Sequence, residues 1–303
     1  MLSRIAHPYL LLTLAALFWA GSAVVARHIA GEVPPMALNF WRWFFAFFIA
    51  LTWTWKELRE HRALIAEKWK YLTFIAVTSA IGFGALHFVA MHYTTAINGS
   101  LFQGMMAICI LVVAWIILGD RIGPREAAGV VLGFSGLAFI VTRGNIGVIL
   151  GLSFNVGDII LLVATISYSV YAVFLRRAPK ELSASALMTA MFGIAAICML
   201  PLWLVEIYAF DRPLPLTATS AWSIAYMTIC PSVLAQIFWA SAVARVGPGK
   251  AGYFIYLSPV FGVVLAMILL GETFRWYHAA GIALIFAGIW LATKPKPAAA
   301  ASD

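Results

Sequence analysis

Charge is what this chain has least of. Only 11% of its 303 residues are Asp, Glu, Lys or Arg, against 63% hydrophobic ones, and mean hydropathy is +0.95. A soluble domain carries about a quarter charged residues, so a water-soluble fold would leave this apolar surface without a place. The twelve acids are Glu32, Glu57, Glu60, Glu67, Asp120, Glu126, Asp158, Glu181, Glu206, Asp211, Glu272 and Asp303, and all fall in loops or at the ends of apolar runs. None sits at mid-run, where a proton-driven pump would keep a carboxylate whose pKa is raised by desolvation. No carboxylate is therefore placed to carry a proton through an apolar run, and His87 is the fallback for such a role.

Cysteine is nearly missing too. Cys109, Cys198 and Cys230 stand on three separate apolar runs, which leaves no zinc spacing, disulfide framework or nucleophile constellation. There is no Gly-rich phosphate loop, and no paired carboxylates or clustered histidines such as an integral-membrane enzyme would need. No cofactor and no metal site are expected. The net charge of +8 could suggest nucleic acid, but the bases lie in short clusters between apolar runs, where they set topology and meet lipid headgroups. The expected partners are the lipid bilayer and a small-molecule substrate, with no nucleic acid and with a monomer favoured.

What the chain does have is a duplicated stretch. Residues 98–136, NGSLFQGMMAICILVVAWIILGDRIGPREAAGVVLGFSG, align without a gap on residues 250–288, KAGYFIYLSPVFGVVLAMILLGETFRWYHAAGIALIFAG, with twelve of 39 positions identical. Each copy is an apolar run, a short polar turn and a second run with spaced glycines, which reads as a membrane hairpin. At an offset of 149 the earlier part repeats more faintly: Trp19 falls on Tyr168, Arg27 on Arg176 and Leu38 on Leu187.

Ten runs are long enough to cross about 30 Å of hydrocarbon. They are 1–30, within which the apolar run starts near Tyr9, then 35–55, 70–91, 97–118, 123–142, 156–176, 184–207, 220–243, 250–270 and 276–293. The expected fold is all-α and integral to the membrane: ten transmembrane helices as two inverted five-helix repeats around a central cavity, because an odd number of crossings inserts the second half upside down. The halves are 1–148 and 149–294, joined through a Gly-rich segment at 143–155, with 295–303 as a disordered cytoplasmic tail. With the N-terminus cytoplasmic, the inside segments hold fifteen Lys and Arg and the outside segments four, with Arg42 left inside the second run. That bias places both termini in the cytoplasm.

With LGDR at 118–121, LGET at 270–273, Pro259 in the ninth run and Arg42 after Trp41 in the second, nearly the whole chain resembles the drug/metabolite transporter superfamily, in its ten-helix EamA-type branch. The density of Trp, Tyr and Phe is similar to that of bacterial aromatic amino acid exporters. The resemblance implies a carrier of the bacterial inner membrane that exports aromatic or bulky hydrophobic amino acids by alternating access. Export of other metabolites or drugs, including aromatic cations, is the alternative.

On that resemblance the cavity is lined by helices 1, 6, 8 and 9, which carry Trp19, Tyr168, Tyr171, Trp239, Tyr253 and Tyr256, with Ser22 one turn past Trp19. Stacking and cation–π contact suit an aromatic amino acid, although Trp and Tyr also form belts at both interfaces. Arg42, two turns into helix 2, either meets a substrate carboxylate or pairs with backbone carbonyls to lock helices 1 and 2. His87, set opposite Trp239 by the longer offset, is either an interhelical hydrogen bond or part of the pathway. Gln103 and Asn98 raise the same question, and Gln103 is the pathway candidate. Pro231 and Pro259 are hinges or fixed kinks. Asp120 and Glu272 read as turn residues complementing the dipole of the helix that follows. The glycines at 129, 133, 136, 281 and 288 read as close helix contacts.

Overall fold

Backbone N–H and C=O groups in hydrocarbon must be satisfied within their own segment, so each apolar run becomes a helix. In a computed structural model residues 6–29, 31–91, 93–153, 155–270 and 273–293 are described. Glu272, Gly271 and the tail at 295–303 lie outside them. The spans are α1 (Pro8–His28), α2 (Pro35–Glu60), α3 (Trp69–Ala90), α4 (Ala96–Leu118), α5 (Pro124–Val141), α6 (Val156–Leu175), α7 (Ala184–Tyr208), α8 (Ala218–Val246), a composite α9 and α10 (Trp276–Thr293). Nine of these, among the described residues, are single helices long and apolar enough to cross a membrane. The exception is α9, which runs Pro248–Tyr253, tightens to a 3-10 turn at Phe254–Tyr256, and resumes as Leu257–Leu270. Pro259 is thus not a mid-helix break. It sits in the first turn of the resumed helix, where a missing N–H is harmless.

Packing follows the duplication. α2 lies against α7 and α5 against α10, each pair mapping onto itself when the halves are exchanged. α1 packs on α8 and α9 as α6 packs on α3 and α4. An even number of crossings puts Pro8 and Thr293 on one face, called here the termini face.

Two features locate the repeat axis in chemistry rather than in pattern. First, α3 and α8 each widen to a π-helix, at Ala80–Ala85 and Thr228–Leu234, whose ends Ala85 and Leu234 are 149 residues apart. That register sets His87 against Gln236, not Trp239. In α8 the cause is Pro231, which lacks the N–H that would bond the Met227 carbonyl. The π register brings the Ser232 N–H, one residue further on, to that carbonyl instead, and Ser232 Oγ also donates to it at 2.8 Å. Ser232→Ala removes the second of these bonds, and should cost about 0.5–1.5 kcal/mol, read as a lower thermal midpoint in detergent.

Second, the ends of α2 and α7 cap each other. Glu57, in the last turn of α2, accepts from Ser183 N at 2.6 Å and from Ser183 Oγ at 2.8 Å, at the start of α7. Glu206, 149 positions on and in the last turn of α7, accepts from Met36 N at 3.0 Å and Ala37 N at 2.7 Å, at the start of α2. Each carboxylate takes up N–H groups that a helix start leaves without partners, and meets the positive end of its dipole.

Close approach of α5 and α10 depends on glycine. A Cβ on Gly136 would lie 2.5 Å from the Gly281 carbonyl oxygen, and one on Gly288 2.5 Å from that of Gly129.

Candidate functional site

A cavity of about 240 Å³ opens between α1, α4, α5 and α9. Its wall uses the later part of α1 (Trp19, Ala20, Ala23, Val24), the first turns of α4 (Ser100, Gln103, Gly104), the end of α5 (Leu137, Val141) and the middle of α9 (Ile255, Tyr256, Ser258, Pro259, Gly262). Since α1 and α5 start at the termini face and α4 starts opposite, the stretches of these three helices lie in the half of the bundle away from the termini, and that of α9 lies at its middle. Between α4 and α9 on the termini side, Ala107, Ile110, Ala251 and Tyr253 are buried. The same side is tied by Arg176 Nη1 to Asp120 Oδ2 at 2.8 Å, by Arg177 Nη2 to the Ile117 carbonyl at 2.7 Å, by Tyr71 OH to the Phe174 carbonyl and by Arg245 Nη1 to the Ala6 carbonyl at 2.8 Å. The cavity's lining is offset toward the face away from the termini.

Local sequence explains the wall. Ser100, Gln103 and Gly104 fall at i, i+3 and i+4, one face of α4. Gly133 on α5 leaves the space into which the Tyr256 ring packs, since a Cβ there would come within 2.6 Å of Tyr256 Cδ2. Ser258 Oγ donates to the Ala16 carbonyl at 3.2 Å and ties the resumed α9 helix to α1.

Of the residues singled out from sequence, Trp19, Gln103, Tyr256 and Pro259 line this cavity. Behind them stands an aromatic cluster. Trp19 lies 5.4 Å from Trp239 and 6.5 Å from Tyr168, measured between ring centroids. Tyr168 in turn lies 6.2 Å from Trp239, 5.3 Å from Tyr171 and 5.1 Å from Phe83, and Phe83 reaches His87 at 5.4 Å. Tyr168, Tyr171 and Trp239 are buried and support the wall from behind. Tyr168 OH, Trp239 Nε1 and Tyr256 OH are buried donors with no hydrogen-bond partner, whereas Tyr171 OH donates to Gln236 Oε1 at 3.1 Å.

The others are placed elsewhere. Ser22 Oγ donates to the Trp19 carbonyl at 2.7 Å, within its own helix. Arg42 lies on α2 with its guanidinium 4.5 Å from the Trp43 ring centre. Tyr253 is packed on the termini side, and Pro231 lies in the α8 π segment. Asn98 belongs to a structural knot, in which Asp158 Oδ1 accepts from Asn98 Nδ2 at 2.9 Å and Thr94 Oγ1 at 2.6 Å, while its Oδ2 accepts from Asn155 N at 2.8 Å. Asp120 does not serve the helix after it. Glu126 closes the start of α5 by accepting from Gly123 N at 2.7 Å, and Asp120 pairs across the two halves with Arg176. Sequence reasoning missed Ser100 and Ser258 in the wall. The i, i+3 spacing of Ser100 and Gln103 was the signal for the first.

The two-fold repeat of the packing agrees with comparisons to known proteins, in which one family profile matches the chain twice. The profile of the EamA-like transporter family matches residues 7–142 and again 155–294. An uncharacterized transporter of Archaeoglobus fulgidus is 27% identical over 95% of this chain and 98% of its own length. A probable terminal-alkyne amino-acid exporter of Streptantibioticus cattleyicolor is 27% identical over 74% of this chain and 73% of its own. A probable amino-acid metabolite efflux pump of Salmonella typhimurium is 23% identical over 58% and 60%. A solved crystal structure shares the fold, with a TM-score of 0.79 at 19% identity, covering 94% of this chain and 96% of that one. This chain is a multi-pass membrane transporter and belongs to the EamA-like transporter family.

Proposed function

We propose that the protein exports amino acids with aromatic or bulky hydrophobic side chains across a bacterial inner membrane. The observation that carries this reading is the cavity itself: Trp19 and Tyr256 supply aromatic surface, and Ser100, Gln103 and Ser258 supply polar groups. Its volume of about 240 Å³ falls below the roughly 300–1,000 Å³ of sites for drug-sized ligands, which favours an amino acid over a bulky drug. Two of the relatives above are named for amino-acid efflux.

With the termini face cytoplasmic, as the excess of basic residues there supports, the cavity opens outward. Halves 1–148 and 149–294 then exchange roles, and the cavity reopens to the cytoplasm between the repeat-related helices α6, α9, α10 and α4. The breaks at Thr228–Leu234 and Phe254–Tyr256, beside Pro231 and Pro259, are where α8 and α9 bend. Glu57, Asp158 and Glu206 are held in helix caps, which supports facilitated flux over proton exchange.

The test is counterflow of labelled Phe and Trp in liposomes, with and without a pH gradient. Saturable flux without a gradient is expected. In Trp19→Ala the half-saturation concentration should rise about tenfold, since a ring–ring contact contributes about 0.5–1.5 kcal/mol and 1.4 kcal/mol is a factor of ten. Folded protein that moves neither amino acid overturns the substrate, and flux that needs the gradient overturns the facilitated mechanism.

A further inference from the structure

Each residue of the cavity wall has a counterpart in the other half, 149 positions away for α1 and 152 for α4, α5 and α9. Most counterparts are closed off. Tyr168, the counterpart of Trp19, is buried, and so are Ala107 and Ile110, the counterparts of Pro259 and Gly262. On the termini side a Cβ on Gly252 would lie 3.6 Å from Ile110 Cδ1 and 3.7 Å from Ala107 Cα, which is ordinary packing contact. Their counterparts Ser100, Gly262 and Pro259 all line the cavity, and a Cβ on Gly262 meets nothing within 4 Å. The same three positions are thus packed together on one side of the bundle and parted on the other.

Two pairs behave differently. Gln103 and Ile255 are counterparts of each other, as are Gly104 and Tyr256, and all four line the cavity. When the halves exchange, these pairs change places and still line it, while Trp19 and Ser100 leave and Tyr168 and Gly252 enter. Of the four, Gln103 is exposed and carries a carboxamide, donor and acceptor together, whereas Tyr256 keeps its OH buried. Tyr168 OH is a buried donor with no hydrogen-bond partner, which is costly at this depth. Entry into the cavity would give that hydroxyl a partner.

We propose that Gln103 holds the substrate from both faces of the membrane, and that Trp19 and Tyr168 are face-specific partners, Trp19 when the cavity opens away from the termini and Tyr168 when it opens toward them. This assignment rests on the amino-acid reading and the exchange of halves given above, and names the side chains that set affinity on each side.

Initial uptake of labelled Phe into right-side-out and inside-out membrane vesicles reads half-saturation from each face. Gln103→Met, at an exposed position, should fold and should raise half-saturation about tenfold from both faces, since a hydrogen bond to a charged substrate group is lost, with the maximal rate within about twofold of wild type. Tyr168→Phe, which removes only a hydroxyl, should raise it about fivefold from the termini face and leave the other face unchanged. Trp19→Ala should do the reverse. An effect of Gln103→Met that is absent, confined to one face or carried by the maximal rate overturns the common site, and Gln103→Leu is read in the same way if that variant does not fold. Equal effects of Tyr168→Phe on both faces, or on neither, overturn the face-specific partners. Wild-type vesicles that take up Phe beside such variants sink this assignment alone, whereas wild-type vesicles blind to Phe sink the amino-acid reading with it.

Discussion

Glu57→Ala and Glu206→Ala should each lower the stability of the folded protein by about 2 kcal/mol, and the double variant by about 4. Each carboxylate receives two hydrogen bonds from the start of the partner helix. Losing a helix cap costs about 0.5–2 kcal/mol, and a buried donor left unpaired adds to that. Glu206 is the more telling of the pair, because it is buried and serves two backbone N–H groups, which no side chain can replace. Additivity is part of the expectation. Met36 and Glu57 stand at opposite ends of α2, about 30 Å apart at 1.5 Å per residue, well beyond the range at which substitutions couple. Thermal unfolding in detergent of both singles and the double reads this out. A double variant no worse than either single would show that the caps do not act independently, and unchanged singles would show that water replaces them.

Gly136→Leu should cost about 3 kcal/mol, and Gly136→Ala about 1–2. The sign of the alanine variant is informative, because two effects oppose. Replacing a mid-helix glycine by alanine gains about 0.5–1 kcal/mol of helix propensity. Overpacking costs about 1–3 kcal/mol, and here the new atom meets backbone, the Gly281 carbonyl at 2.5 Å, which cannot rotate away. Packing should win. Gly262 is the matched control, since a Cβ there meets nothing within 4 Å, and Gly262→Ala should stabilise by about 0.5–1 kcal/mol. Equal stabilisation at both positions would mean that α5 and α10 separate freely and that their contact contributes nothing.

The spans were legible in the sequence because hydrocarbon demands unbroken apolar length, and the ends read from it fall within a few residues of those observed. The second and eighth helices run further, to Glu60 and Val246, since backbone hydrogen bonding continues past the hydrocarbon edge into residues that look like loop. The short surface helix Arg62–Glu67 and the one at Ile146–Leu150, inside the Gly-rich linker, carry too little apolar periodicity to read. At the site, Trp19 and Gln103 were readable as polar or aromatic groups well inside apolar runs. Which side of its helix each aromatic presents was not, because helix rotation is fixed by neighbours distant in sequence. Tyr168 and Trp239 therefore pack behind Trp19 instead of beside it. The mutual caps were within reach: the offset that pairs Trp19 with Tyr168 also pairs Glu57 with Glu206, and treating the acids singly as helix-end residues hid the match.

Those caps also bear on how the chain is made. Glu206 follows Met36 by 170 residues, and at about 5–20 residues per second of synthesis the start of α2 waits roughly 10–30 s for the side chain that completes it. The start of α7 has no such wait, because Glu57 is already in place when Ser183 emerges. During biogenesis the first half is therefore unfinished until most of the second has been inserted, and a ribosome that stops before Glu206 releases a chain whose second helix has no cap of its own.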